Sequence, residues 1–98
     1  MSANGAPVFQ VRLRSKRVQR ELDALRQVDY ERVLLKLRAL ANAPRAQGCE
    51  KLFDAIYRVR VGGFRIIYTI DEKKKRIEVG AIHRRTERTY RGIERLFR

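Results

Sequence analysis

The segment at residues 57–68, YRVRVGGFRIIY, places three arginines around a Gly-Gly pair. Arg58 and Arg60 precede the pair, and Arg65 follows it. Guanidinium groups form paired hydrogen bonds with phosphate oxygens, and cations held in place stabilise the negative charge that develops during phosphoryl transfer. These residue types at this spacing indicate a site that binds a phosphodiester backbone.

A histidine further along the chain supplies a group that can accept a proton. His83 is the only histidine, and a free imidazole titrates near neutrality, whereas a guanidinium stays protonated. We therefore take His83 as the candidate general base. A structural role is the alternative, because strict alternation along its strand would turn His83 toward the buried face.

The sequence gives no sign of metal chemistry. With one histidine and one cysteine, Cys49, the chain has no cluster at zinc-ligand spacing. No pattern around Cys49 would activate its thiol. We expect no metal and no other cofactor.

The charge of the chain predicts a polyanionic partner. Its 98 residues include 24 Lys plus Arg against 11 Asp plus Glu, which gives a formal net charge of +13. Such an excess on a compact domain suits nucleic acid, an acidic protein, or both. Hydrophobic residues make up 44% of the chain, so the charge does not indicate disorder.

The length allows one small domain with a single core. Residues 1–7 are expected to form a mobile N-terminal tail, and residues 8–98 the domain. No apolar run approaches the ~18 residues of a membrane span, and the N-terminus has neither the basic nor the apolar region of a signal peptide. We therefore expect a soluble, cytoplasmic protein.

The hydrophobic pattern predicts an α+β fold. Residues 8–14 alternate as in a strand, and Ser15 and Asp29 are predicted to cap two amphipathic helices that form an antiparallel pair. After the second helix the period changes from helical to alternating, which predicts a three-stranded antiparallel meander. A short C-terminal helix that includes Tyr90 completes the domain, and the helices cover one face of the sheet.

The Gly-Gly pair predicts a two-residue hairpin turn, and such a turn places Arg60 directly opposite Arg65. Like charges in that position destabilise a sheet. Because the apolar residues of both strands take the buried face, Arg58 shares the opposite face with this pair; we call it the arginine face. A bound phosphate backbone would offset the crowded charge, and a solvated polar surface is the alternative.

The same alternation predicts which residues of the next strand join the arginine face. Ala81 is expected on the buried face, so that Ile82 and Arg84 turn toward the arginine face. Four arginines, Arg58, Arg60, Arg65 and Arg84, would then line one concave surface.

The segments KLFDAIYRVRVGGFRIIYTID and HRRTERTYR resemble the RelE-type toxins of bacterial and archaeal toxin-antitoxin systems, within the RelE/ParE superfamily. The resemblance extends over residues 8–90. It implies a RelE-like fold and ribosome-dependent cleavage of mRNA, in which a ribose 2′-OH attacks the adjacent phosphate without a metal. It also implies two kinds of partner, the ribosome with its A-site mRNA and a cognate antitoxin protein in a hetero-oligomer.

The resemblance assigns roles to individual residues. Arg58 and Arg60 match RNA-binding positions, Arg65 and Arg84 match positions that stabilise charge in the transition state, and Tyr90 matches the family's C-terminal tyrosine. Tyr90 would stack on a base or orient the attacking hydroxyl, with a core position as its alternative. Some RelE-type toxins carry lysines where this chain has Arg58 and Arg60. Because arginine cannot serve as a base, either His83 takes that role or the reaction relies on charge stabilisation alone.

Two other functions stay open at this point. A ParE-type relative would inhibit DNA gyrase by binding and would cleave no RNA. Arg65, Arg84 and Tyr90 favour the nuclease over this alternative. The other possibility is a non-catalytic nucleic-acid-binding module of the same fold, whose positive charge would give salt-dependent affinity for phosphates.

Overall fold

The protein forms two helices and five strands in a computed structural model that describes residues 8–84 and Phe97. In chain order the elements are β1 (Gln10–Leu13), α1 (Lys16–Asp23), α2 (Gln27–Asn42), β2 (Glu50–Phe53), β3 (Ile56–Val61), β4 (Phe64–Asp71) and β5 (Arg76–Arg84). The sheet has the order β1-β5-β4-β3-β2, in which β1 runs parallel to β5 and the other pairs are antiparallel. The predicted α+β class is confirmed.

The N-terminal strand and the helical pair lie where the hydrophobic pattern places them. Ser15 occupies the N-cap position of α1, as predicted, but its side chain makes no capping hydrogen bond. The predicted cap Asp29 is wrong, because α2 begins two residues earlier, at Gln27, and Asp29 falls in its first turn. A carboxylate there still interacts favourably with the positive end of the helix dipole.

The sequence did not predict strand β2. It pairs antiparallel with β3, so the three-stranded meander is extended to four strands. The segment EKLF has no β-branched residue, and its strand conformation comes from pairing with the edge of β3 rather than from local preference. The expected tail at residues 1–7 and the expected C-terminal helix, with Tyr90, lie outside the described residues.

The main core lies between the helices and one face of the sheet. Its fully buried members include Val18, Val33, Leu40, Ile66 and Tyr68. The hydroxyl of Tyr68 donates a hydrogen bond to the backbone oxygen of Pro44 at 2.7 Å. Burial raises the pKa of Tyr68, so this hydroxyl remains a hydrogen-bond donor. In the described part of the chain, no helix is both long enough and apolar enough to cross a bilayer.

A β-bulge at Gly80 reverses the two faces of β5. Tyr68 pairs with Val79, but the preceding residue of β4, Ile67, pairs with Ala81, so that Gly80 has no partner in the ladder. An extra residue of this kind shifts the alternation of all that follow it. Ala81 therefore lies beside Ile67, on the face opposite the helices.

This register corrects a prediction made by strict alternation. Ala81 was expected among the main core residues, with Ile82 and Arg84 on the arginine face. Instead, Ile82 belongs to the main core, and Ala81 packs with Ile56 and Ile67 in a second, smaller cluster. The alternation rule assumes an unbroken ladder, which the bulge at Gly80 interrupts.

Phe97 covers the second cluster and lies directly against the bulge. A Cβ atom at Gly80 would come within 2.4 Å of Cζ of the Phe97 ring. Leu52 packs against the same cluster from β2. The absence of a side chain at Gly80 therefore lets an aromatic ring approach the backbone of the sheet.

Helix α1 covers the edge of β5 that β1 leaves open. The pairing with β1 ends at Val79. Beyond it, Arg17 donates from Nη2 to the backbone oxygen of Gly80 at 2.6 Å, and the backbone N–H of Ile82 donates to Oε1 of Glu21 at 2.9 Å. Arg17 also donates to Glu21, at 2.7 Å. These side chains satisfy backbone groups that a neighbouring strand would otherwise pair.

The protonation of Glu21 depends on the same contacts. Burial acts to raise the pKa of Glu21, but its interaction with His83, the hydrogen bond from Ile82 and the charge of Arg17 outweigh that effect. The pKa of Glu21 is lowered as a result. The carboxylate form is therefore favoured in the folded protein.

Gly80→Ala is expected to lower the free energy of unfolding by about 1 kcal/mol, because the new methyl group displaces the Phe97 ring. Urea denaturation measures this change. Gly63→Ala is the control, since a Cβ at Gly63 meets no atom within 4 Å. In a protein that already carries Phe97→Ala, adding Gly80→Ala should leave the free energy of unfolding nearly unchanged. A loss of stability as large as in the native background would contradict the steric explanation.

Glu21→Gln is expected to lower stability by about 1 kcal/mol at neutral pH, because it weakens charged hydrogen bonds while keeping an acceptor for Ile82. The lowered folded-state pKa means that this stabilisation is present above the ordinary value of 4.5 and is lost as the pH falls through the folded-state value. Thermal unfolding of both proteins across this range measures the difference. Asp23→Asn, at an exposed carboxylate of α1, is the control. A difference in stability between the native protein and Glu21→Gln that persists in acid would contradict the prediction.

Candidate nucleic-acid interface

The turn between β3 and β4 fixes how the arginines face one another. Val61 pairs with Phe64, so that Gly62 and Gly63 form the two-residue loop that the sequence predicts. Gly62 has a φ of 57°, and Gly63 does not have a positive φ. A positive φ at the first central residue alone is the pattern of a type II′ turn, which matches the twist of paired strands.

The register of this hairpin places two arginines directly opposite each other. Arg60 pairs with Arg65, and Arg58 pairs with Ile67 on the same face of the sheet. The prediction that Arg58, Arg60 and Arg65 share one face is therefore confirmed. Arg60 is exposed at the surface, whereas Arg58 and Arg65 are partly buried.

The bulge brings His83 to the arginine face. His83 pairs with Arg65 across β4 and β5, and paired residues share a face. Strict alternation would have turned His83 toward the helices. That expectation is wrong because the bulge at Gly80 changes the face of His83, as it changes the face of Ala81. The imidazole of His83 is instead the cross-strand neighbour of Arg65.

The electrostatic environment of Arg58 reflects this crowding. Partial burial, followed by the charges of Arg65 and Arg60, lowers the pKa of Arg58. The guanidinium remains charged, because an arginine pKa starts far above neutrality. The Arg58 guanidinium contacts the carboxylate of Glu50 on β2, which offsets part of the charge from within the protein. The arrangement concentrates positive charge where a phosphate could approach.

Arg84 lies on the opposite face of the sheet. It pairs with Phe64, and its guanidinium lies 5.5 Å from the centre of the Phe64 ring. Both residues line a cavity of about 240 Å³ together with Glu21, Arg26 and Asp29. The prediction that Arg84 joins the other three arginines on one face is wrong. The bulge at Gly80 shifts the alternation of side chains, so that every residue after it lies on the face opposite to the one predicted.

The two nitrogens of His83 have different surroundings. Nε2 lies 3.7 Å from Oε2 of Glu21, an ion-pair distance that is longer than a direct hydrogen bond. Nδ1 is buried and has no hydrogen-bond partner among the described residues. Glu21 is far from His83 in the sequence, and no spacing signal could have revealed this contact.

The remaining predicted site residue, Tyr90, lies outside the described residues. Within residues 8–84 and Phe97, no three histidine, cysteine or acidic side chains come together as a group that could hold a metal ion. The described site therefore consists of Arg58, Arg60, Arg65 and His83 on one face, with Arg84 at the same end of the sheet on the other.

Comparisons with known proteins agree with this architecture. The chain is similar to the toxin in the archaeal RelE-RelB complex from Pyrococcus horikoshii, with 26% identity and a TM-score of 0.75 over 82% of this chain and 98% of that one. It also shares the fold of a chain in the RelBE2 toxin-antitoxin complex from Mycobacterium tuberculosis, with 19% identity, a TM-score of 0.70 and coverage of 86% and 98%.

The fold is similar again to a chain of the intact E. coli RelBE toxin-antitoxin complex, with 17% identity, a TM-score of 0.69 and coverage of 81% and 99%. No curated protein sequence matched the chain. Residues 13–89 match the family model described as the ParE toxin of type II toxin-antitoxin systems. Because this match spans well over half of the chain, the protein belongs to the ParE toxin family of type II toxin-antitoxin systems, within the RelE/ParE superfamily.

Proposed function

We propose that the protein is a ribosome-dependent mRNA endoribonuclease that inhibits translation. The observation that carries this proposal is the cross-strand pairing of Arg65 with His83, next to the opposed pair of Arg60 and Arg65. Cleavage of RNA through its own 2′-OH is helped by a base for the hydroxyl proton and by a cation for the developing negative charge, and an imidazole beside a guanidinium can supply both. The fold similarity to RelE toxins supports the same activity.

The chemistry can be assigned to residues of the arginine face. His83 accepts the proton of the ribose 2′-OH, whose oxygen attacks the adjacent phosphorus as the bond to the 5′ oxygen breaks. Arg65 stabilises the charge on the non-bridging oxygens. Arg58 and Arg60 hold the flanking phosphates. The 5′ oxygen leaves as a hydroxyl after it takes a proton from water, and the other product is a 2′,3′-cyclic phosphate. The proton on His83 returns to the solvent, so that the overall reaction neither gains nor loses a proton.

Tyr90 keeps the role that the family resemblance gives it, whereas Arg84 must act from a different direction than that resemblance implies. It lies at the end of the sheet near the Gly62 turn, on the helix side of β5. An RNA strand that crosses this end of the sheet would meet Arg60 and Arg65 on one face and Arg84 on the other. Arg84 then contributes to binding more than to charge stabilisation at the scissile phosphate.

The proposed partners are the ribosome with its A-site mRNA and a cognate antitoxin, and the proposed location is the cytoplasm, where ribosomes lie. Structural relatives were solved in complexes with RelB antitoxins. Membership of a type II toxin-antitoxin family implies an antitoxin that is also a protein. We infer that an acidic segment of that antitoxin neutralises the arginine face when the toxin is inactive.

Inhibition of DNA gyrase is a second candidate function, and the matching family model favours it because that model describes ParE toxins. Gyrase inhibition requires binding alone, so it needs neither a base nor a stabilised transition state. The placement of His83 beside Arg65 has no purpose in that function, which is why the nuclease is preferred.

Arg65→Ala is expected to reduce mRNA cleavage in a translating extract about a hundredfold or more, because it removes a cation from the scissile phosphate. Mapping of RNA ends measures cleavage. Arg65→Lys should retain part of the activity, since it keeps the charge but loses the paired geometry. Lys73→Ala is the control, because it removes one exposed charge in the turn after the other end of β4.

Two outcomes would count against the nuclease, and a third would count against the arginine face as its site. Intact mRNA together with inhibited gyrase supercoiling would establish the ParE-type function. Intact mRNA with active gyrase, and nucleic-acid binding that weakens steeply as salt rises, would leave a non-catalytic binding module. Cleavage that Arg65→Ala leaves unchanged would show that the arginine face is not the site.

Arg84→Ala is expected to weaken substrate binding and to leave the chemical step nearly unchanged, because Arg84 lies on the far side of β5 from Arg65. Rates measured against the concentration of programmed ribosomes separate KM from kcat. We expect KM to rise about tenfold, as for the loss of about 1.4 kcal/mol of phosphate contact. A loss in kcat as large as that of Arg65→Ala would contradict the placement of Arg84.

A further inference from the structure

Glu21 lies at the point where α1 meets the open edge of β5. Its Oε1 accepts the backbone N–H of Ile82 at 2.9 Å, and its Oε2 accepts a hydrogen bond from Arg17 at 2.7 Å. The carboxylate is partly buried, with 23% of its side chain exposed. Two hydrogen bonds from two elements therefore fix its position before any ligand binds.

The carboxylate is the acidic group that the structure places next to His83. Its Oε2 lies 3.7 Å from Nε2 of His83. Among the described residues, the other charged groups near the imidazole are Arg65, its partner on β4, and Arg17, on α1 beside Glu21. Glu21 is thus an acceptor for the imidazole in a predominantly basic environment.

The geometry points to Glu21 as a positioning residue that holds the proton of His83 on Nε2 and leaves Nδ1 as the proton acceptor. The partner of one ring nitrogen decides which nitrogen of a neutral imidazole carries the proton. A carboxylate can only accept, so it selects the Nε2–H form. The inference rests on the proposed function, because it assigns the base of that reaction.

The state of Nδ1 agrees with this assignment. It is a buried polar atom without a hydrogen-bond partner among the described residues. Such atoms are rare, because burial without a partner costs free energy. Because Nδ1 is buried, the imidazole ring has to turn slightly before a ribose 2′-OH can reach this atom. A hydrogen bond from the 2′-OH to Nδ1 would then remove that cost. The separation of 3.7 Å between Nε2 and Glu21 leaves room for the contact to shorten when substrate binds.

The presence of a single histidine allows a direct test. Nitrogen-15 NMR of the full chain, at a pH where the imidazole is neutral, reports which ring nitrogen carries the proton. We expect the Nε2–H form in the native protein. In Glu21→Gln the side-chain amide can donate toward Nε2, and we expect a shift of the population toward the Nδ1–H form.

Glu78→Gln is the matched control. Glu78 also lies on β5 and pairs with an arginine, Arg14, at 2.9 Å, but it precedes the bulge and is five residues from His83 along the strand. The nitrogen-15 spectrum of Glu78→Gln should match that of the native protein. Identical proton positions in native protein and Glu21→Gln, with both proteins folded by circular dichroism, would overturn the inference.

Cleavage kinetics supply the second measurement. Glu21→Gln should lower kcat about tenfold to a hundredfold with KM nearly unchanged, as for other groups that orient a histidine. Glu21→Asp should recover part of the loss because it restores a carboxylate. A rise in KM alone would overturn the positioning role. A native protein that cleaves no RNA would overturn the proposed function, and the NMR result, obtained without ribosomes, would still decide the Glu21 contact.

Discussion

The placement of His83 and Arg84 relative to the other arginines of the candidate site depends on one extra residue in strand β5. Gly80 has no partner in the ladder between β4 and β5, so the residues after it change faces. His83 joins the arginine face because of this bulge, and Arg84 leaves it. Without the bulge, and with Val79 still opposite Tyr68, Ile82 would be the cross-strand neighbour of Arg65. The imidazole of His83 would then point toward the helices, and Arg84 would lie on the arginine face.

Two contacts hold the bulged segment in place from different sides. The ring of Phe97 lies over Gly80 where no side chain intervenes. Arg17 and Glu21 bind the backbone of Gly80 and Ile82 along the strand edge. The position of His83 is therefore determined by the second hydrophobic cluster and by α1 together, rather than by the strand alone.

The arginine face lowers the stability of the folded protein through electrostatic repulsion. Arg60 and Arg65 are directly opposed, and Arg58 lies nearby on the same face. Partial burial lowers the pKa of Arg58, and repulsion from Arg65 and Arg60 lowers it further. Repulsion of this kind favours binding of an anion, because a phosphate relieves it while forming its own hydrogen bonds.

Local sequence rules predicted the parts of the site that local geometry determines. A Gly-Gly loop of two residues permits one register, and the opposition of Arg60 and Arg65 follows from it. The helices follow from apolar periodicity in the same way. The α+β class could therefore be predicted correctly from the amino-acid pattern.

The remaining features depend on contacts between distant segments. Strand β2 forms because β3 offers it an edge, and its own residues show little preference for a strand. A glycine within a strand can indicate a bulge. Gly80 was therefore the one signal in the sequence that the side chains of β5 exchange faces after it. The contact between Glu21 and His83 has no local signal, because it arises only when α1 packs against the edge of β5.

The position of Phe97 has a practical consequence for handling the protein. This side chain is followed in the sequence by Arg98, and it lies against the strand that carries His83. An affinity tag placed close to Phe97 in the sequence could displace this ring from Gly80 and so disturb the bulge. An assay of such a protein would then report the altered bulge as well as the native site.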